Sequence, residues 1–112
     1  MAIVLDCRIR RDASGLVIAL SCDRVERAYM LLDALMSGAL REVTFRGDGV
    51  LLVCTCGDAD ELAENMLTLS EASVDYIKAV LLQAALRPQE AEWLHADVAA
   101  EGGDVLIRVM NS

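Results

Sequence analysis

The chain of 112 residues carries 18 acidic and 10 basic side chains, a formal charge of -8, and 55% of its residues are hydrophobic. That length fits one domain able to bury roughly two-thirds of its unfolded surface, and so much apolar content excludes disorder. The acidic balance argues against a stand-alone nucleic-acid binder. No apolar run approaches the ~20 residues of a membrane-spanning helix, and Met1 to Asp6 lacks the basic stretch of a secretory signal.

Residues 2–11 alternate as one half-buried strand, with Ile3, Leu5, Cys7 and Ile9 on one face and Asp6, Arg8 and Arg10 on the other. Asp12-Ala13-Ser14-Gly15 is turn chemistry, and Leu16 to Cys22 returns as the second arm of a hairpin. Asp23 with Glu26 forms a capping-box pattern ahead of Val25, Ala28, Tyr29, Leu32, Leu35 and Met36, which recur at helical spacing until Gly38. Glu42 to Arg46 and Val50 to Cys56 then flank the turn Gly47-Asp48-Gly49. The second of these strands is apolar on both faces, as suits the centre of a sheet.

The second half repeats this plan. At a spacing of 49 residues Leu20, Ser21 and Val25 match Leu69, Ser70 and Val74, and the apolar helix positions follow. Arg87-Pro88 stops the second helix, and Glu92 to Val98 and Asp104 to Met110 form a hairpin around Glu101-Gly102-Gly103. Val50 to Val53 is matched with Val105 to Arg108 by allowing a six-residue insertion. The expected fold is α+β, one domain over 1–112 with a pseudo-repeat at about 12–56 and 61–110. It comprises two strand–helix–strand–strand units after one extra strand, with a mixed or antiparallel sheet and both helices on one face.

Charge divides unevenly along the chain. Residues 1–56 hold seven acids and seven arginines, whereas residues 57–112 hold eleven acids against Lys78, Arg87 and Arg108. Asp58, Asp60, Glu61, Glu64, Glu71 and Asp75 all precede the first positive residue of that half. They suit either a solvated face near a helix N-terminus or a negative surface that steers a basic partner. On the strand at 92–98, Leu94, Ala96 and Val98 suit the core, which places Trp93, His95 and Asp97 outward. An exposed tryptophan beside acids is a natural binding anchor; a buried one would be core.

Metal and cofactor chemistry are not expected. Cys54-Thr55-Cys56 lacks the spacing of zinc knuckles, and Asp58, Asp60, Glu61 and Glu64 lack a calcium-loop pattern. All four cysteines lie in apolar runs, which suits packing in a reducing cytoplasm. His95 is the single histidine, and no nucleophile–base set accompanies it, so no enzyme activity is expected.

The second half resembles the layout of small bacterial immunity proteins, which neutralise toxins of interbacterial competition. The resemblance lies in Leu67 to Ser70, the helix from Val74 to Leu86, Glu92 to Asp97 and Gly103 to Ile107. It implies an acidic binding protein without activity of its own, monomeric or dimeric, with a cognate toxin or effector domain of basic surface as partner. Neither nucleic acid nor membrane is a partner in that reading. Two other classes stand behind it: an acidic secretion chaperone, and a small-ligand or enzyme domain built around Trp93, His95 and the cysteines.

Overall fold

The computed structural model describes residues 3–13 and 15–110. Ala2 of the expected first strand and Ser14 of the expected turn lie outside them. The fold is α+β, and the described residues form two helices and nine strands in mixed sheets of five and four strands.

In chain order the strands are β1 (Val4–Asp6), β2 (Arg8–Asp12), β3 (Gly15–Ser21), β4 (Val43–Gly47), β5 (Val50–Gly57), β6 (Glu61–Ala63), β7 (Met66–Ser70), β8 (His95–Ala100) and β9 (Gly103–Met110). Helix α1 spans Val25–Ser37 between β3 and β4, and α2 spans Glu71–Leu86 between β7 and β8. The sheets run β1-β4-β5-β7-β6 and β2-β3-β9-β8. Strand β5 is the middle strand of the first sheet, as its apolar run predicts. Its outer face is nevertheless open, with Leu51 56% exposed.

The expected first strand is broken at Cys7. Its first part, β1, pairs parallel with β4, while β2 pairs antiparallel with β3 in the other sheet. The Cys7 N–H still donates to the Arg46 carbonyl at 2.9 Å, and the next free amide, Ile9, donates to the Asp48 carboxylate at 2.9 Å. This is one seam between the sheets. At the other, Leu62 N–H donates to the Glu101 carbonyl at 2.7 Å and Glu101 N–H to the Asp60 carbonyl at 3.0 Å.

The two seams are related, because both sheets obey one pairing scheme. Adding 53 to the residue numbers carries the β4–β5 pairs Val43–Cys54 and Phe45–Leu52 onto the β8–β9 pairs Ala96–Ile107 and Val98–Val105. The same shift carries Ile9 and Asp48 onto Leu62 and Glu101. Parallel contacts β3–β9 and β5–β7 are likewise equivalent, since each joins the strand before one helix to the last strand of the other unit. The hairpin match therefore needs four inserted residues, rather than six. Among the described residues strand β1 alone lacks a counterpart: it covers the outer edge of β4, whereas none of their strands covers the outer edge of β8.

Helix α1 buries Val25, Ala28, Leu32 and Leu35, and α2 buries Val74, Ile77, Leu81 and Ala84 at the positions 49 residues later. The helices pack side by side over β4, β5, β7, β8 and β9, and both sheets contribute inward residues such as Leu5, Ile18, Leu52, Leu67 and Val105 to one core. The expected capping box of α1 does not form. A 3-10 turn, Cys22–Arg24, precedes the helix, and the Asp23 carboxylate accepts from the Ser21 hydroxyl instead.

Candidate functional site

The nine residues singled out from the sequence fall into separate places. Asp60 points inward: its carboxylate accepts from Ser70 N–H at 2.8 Å and from the Ser73 hydroxyl at 2.7 Å. Burial pushes this carboxyl up, but the bonds from Ser70 N–H and the Ser73 and Ser70 hydroxyls outweigh it and hold it below the ordinary carboxylate value. Asp60 thus anchors the start of α2, whose free N–H groups and dipole favour a negative group there. Glu61 lies on edge strand β6, and Glu64 at the following turn, where its φ is +41° and its carbonyl accepts from Arg11. Asp58 and Glu71 line a shallow cleft with Cys56 and Ser70 at the N-terminal end of α2.

Of the remaining candidates, Trp93, His95 and Asp97 lie at or beside β8, and Glu71 and Asp75 lie on α2. Glu71 and Asp75 are exposed one turn apart on α2. Beside Asp75, Tyr76 is 45% exposed, and its hydroxyl accepts from the Asp97 N–H at 3.4 Å. That contact ties the α2 face to β8, on which His95 and Asp97 project outward, with Nε2 and Oδ2 3.4 Å apart. Trp93 precedes them. It ends a 3-10 turn, Pro88–Trp93, rather than lying on the strand, and it is 76% exposed. Ala96 and Val98 face the core, as the alternation predicts.

The edge itself is informative. Thr44 on β4 occupies the position of Asp97 on β8, and its N–H donates to the Ile3 carbonyl of the extra N-terminal segment at 2.9 Å. Among the described residues, the equivalent N–H of Asp97 meets only the phenolic oxygen of Tyr76. Tyr76 is therefore more than the packing residue its helical spacing suggests.

Sequence reasoning missed a second cluster. Arg8, Arg10 and Arg108 line a depression of about 300 Å³ on the outer face of the β2-β3-β9-β8 sheet, with Val17, Ala19 and Met110 as its apolar part and Asp48 at its margin. Alternation marks Arg8 and Arg10 as one face, but Arg108 reaches them only because β3 separates β2 from β9.

The cysteines are free, with Cys54 buried and Cys7, Cys22 and Cys56 half-buried. Among the described residues, no three His, Cys, Asp or Glu side chains form a metal-holding group. No helix among them is long and apolar enough to cross a membrane. A scan against protein-family models, and searches of curated proteins and of solved structures, found no match to this chain.

Proposed function

We propose that this is a non-enzymatic binding protein that captures a basic partner protein along the outer edge of β8, and that the partner is a toxin domain it neutralises. The toxin class rests on the resemblance of the second half to immunity proteins. The docking site rests on one observation: Trp93 stands 76% exposed beside a sheet edge that no strand among the described residues covers. A tryptophan that contributes little to its own core provides large apolar area when a partner encloses it. Glu71, Asp75 and Asp97 supply the negative charge that orients a basic surface and accelerates encounter. The β8 backbone offers hydrogen bonds to an added strand, as β4 does to β1, once the long bond from the Asp97 N–H to Tyr76 gives way.

A second reading, the secretion chaperone, draws on the helix pair. Met30, Leu82 and Leu86 are 69%, 45% and 72% exposed around a depression that Tyr29 and Ala85 also line. An apolar effector segment fits such a surface.

Capture from the producing bacterium, followed by a toxicity-rescue assay with the captured protein, tests both. Trp93→Ala should weaken capture at least tenfold and abolish rescue, and Glu71→Lys with Asp75→Lys should flatten the salt dependence. Undiminished capture and rescue by all of these, with loss in Met30→Glu/Leu86→Glu, would transfer the site to the helices.

A further inference from the structure

We propose that the depression among Arg8, Arg10 and Arg108 binds the phosphate group of a small phosphate monoester. The site follows from register. Arg8 pairs with Ala19, and Ala19 with Arg108, so the two arginines flank a small residue on the outer face. At the usual strand spacing their Cα atoms stand about 9.5 Å apart, and Arg10 lies about 6.8 Å further along β2. Ala19 between them is only 7% exposed, leaving a low floor below long side chains.

The charge within the depression opposes that of the molecule. Arg8 is partnered by Asp48 at 3.1 Å, and the Asp48 carboxylate also takes the Ile9 N–H. That pair fixes one guanidinium in place. Neither Arg10 nor Arg108 has a hydrogen-bond or ion-pair partner among the described residues. Three guanidiniums against one carboxylate leave a local surplus of two positive charges. A phosphate monoester carries a charge of about -1.5 to -2 near neutral pH and offers acceptor oxygens to several planar forks at once. A single carboxylate matches neither the charge nor the donor count. Val17 and Met110 give the ester's organic body an apolar wall. A long polyanion is disfavoured because it would meet the field of a chain with net charge -8 beyond the reach of these three residues.

The fold does not require the arginines. The residues equivalent to Arg8, Arg10 and Arg108 in the other sheet are Glu61, Ala63 and Thr55, on the same kind of outer face. The scaffold is thus built once with and once without the basic set, which separates it from the needs of folding.

The test titrates the intact protein with inorganic phosphate and with phenyl phosphate at low salt, following backbone amide and arginine Nε resonances. Saturable shifts centred on Arg10, Ala19 and Arg108 are expected, with phenyl phosphate binding more tightly than inorganic phosphate. Arg10→Gln/Arg108→Gln, checked for folding by its thermal transition, should weaken binding at least tenfold. Arg41→Gln, an exposed arginine elsewhere, should leave it unchanged. Arg10→Gln alone serves where the double variant unfolds, and the wild-type shifts stand independently. Shifts that never saturate, or an equal loss in Arg41→Gln, would mean general ion screening and overturn the site. A phosphoserine peptide binding tenfold more tightly than phenyl phosphate would overturn the small-ligand assignment.

Discussion

Replacing Asp60 by alanine separates stability from binding at a residue that the charge pattern alone assigns to the partner-facing surface. The side chain accepts two hydrogen bonds, from Ser70 N–H at 2.8 Å and the Ser73 hydroxyl at 2.7 Å, at the first turn of α2. Bonds to a charged acceptor contribute about 1.5–3 kcal/mol each when well buried. Asp60 is only partly covered, water replaces some of what is lost, and Ser70 still caps Ser73 N–H at 3.3 Å. The expected cost is therefore nearer that of a lost helix cap, about 2 kcal/mol, or about 6–10 °C in Tm. Its pH dependence has a definite sign. The folded carboxyl titrates below its ordinary value, so its stabilisation is complete above the unfolded pKa of about 3.9 and disappears as pH falls through the folded value. Urea unfolding followed by circular dichroism should show the full gap between wild type and variant at pH 7 and a smaller one at pH 3. Asp60→Asn should lack that pH-dependent part. A gap below about 0.5 kcal/mol at pH 7, or one unchanged at pH 3, would refute the capping role. Partner capture by the folded variant should match wild type.

Three further outcomes follow from the same structure. Gly102→Ala should cost about 2–4 kcal/mol in urea unfolding, because φ is +97° and an added Cβ would overlap the Leu62 carbonyl at the seam. Gly49→Ala, at φ +77° with open space around it, should cost only about 1 kcal/mol, and equal costs would deny the seam its role. Cys54, whose thiol burial and the neighbouring Cys56 push up to about 12, should resist iodoacetamide at pH 8 until urea unfolds the chain. Rapid native labelling of Cys54 would show that the centre of β5 opens. Trp93→Ala should change stability by less than about 0.5 kcal/mol, since the side chain is largely exposed, whatever it does to capture.

Strand and helix positions were legible because burial imposes a period on each. Ile18, Leu20, Leu67 and Leu69 alternate inward, and four helix positions in each half return every three or four residues. Which strand pairs with which was not legible, because periodicity reports a face and never a neighbour. Leu5 and Ile9 stay on one side across Cys7, so the change of sheet there leaves the alternation intact. The misplaced hairpin match has the same origin. Shifting β9 by two residues keeps every inward side chain inward, so insertions of four and six residues have identical hydrophobic patterns. At the candidate site, outward His95 and Asp97 were legible from Ala96 and Val98, whereas the 3-10 turn at Trp93 and the bond from Asp97 to Tyr76 depend on how α2 docks.

The doubled scaffold also indicates where to look for activity of any kind. Inward positions are interchangeable between the halves: Ile9 and Leu62, Val43 and Ala96, Leu52 and Val105, Cys54 and Ile107 are apolar and buried in both. Each fills the same layer between sheet and helices, so packing constrains it the same way twice. Outward positions diverge in charge and size, with Arg8 against Glu61 and Arg108 against Thr55. Packing does not dictate these residues, and it is there that the acidic β8 edge and the basic depression occur. The first edge also differs in coverage, since β1 pairs with β4, whereas among the described residues β8 has no strand on that side and only the Tyr76 hydroxyl on its Asp97 N–H. The proposed partner edge and the proposed phosphate face thus both belong to the β2-β3-β9-β8 sheet. A triple substitution tests this division directly. Transferring the basic set to the other sheet through Glu61→Arg, Ala63→Arg and Thr55→Arg should leave the fold intact and create a second, weaker phosphate site, weaker because Glu101, at the position of Asp48, accepts the seam amide of Leu62 through its carbonyl rather than its carboxylate. Failure to bind phosphate in the folded triple variant would show that the shared register alone does not make such a site, and that the floor at Ala19, where the other sheet has Thr68, is also required.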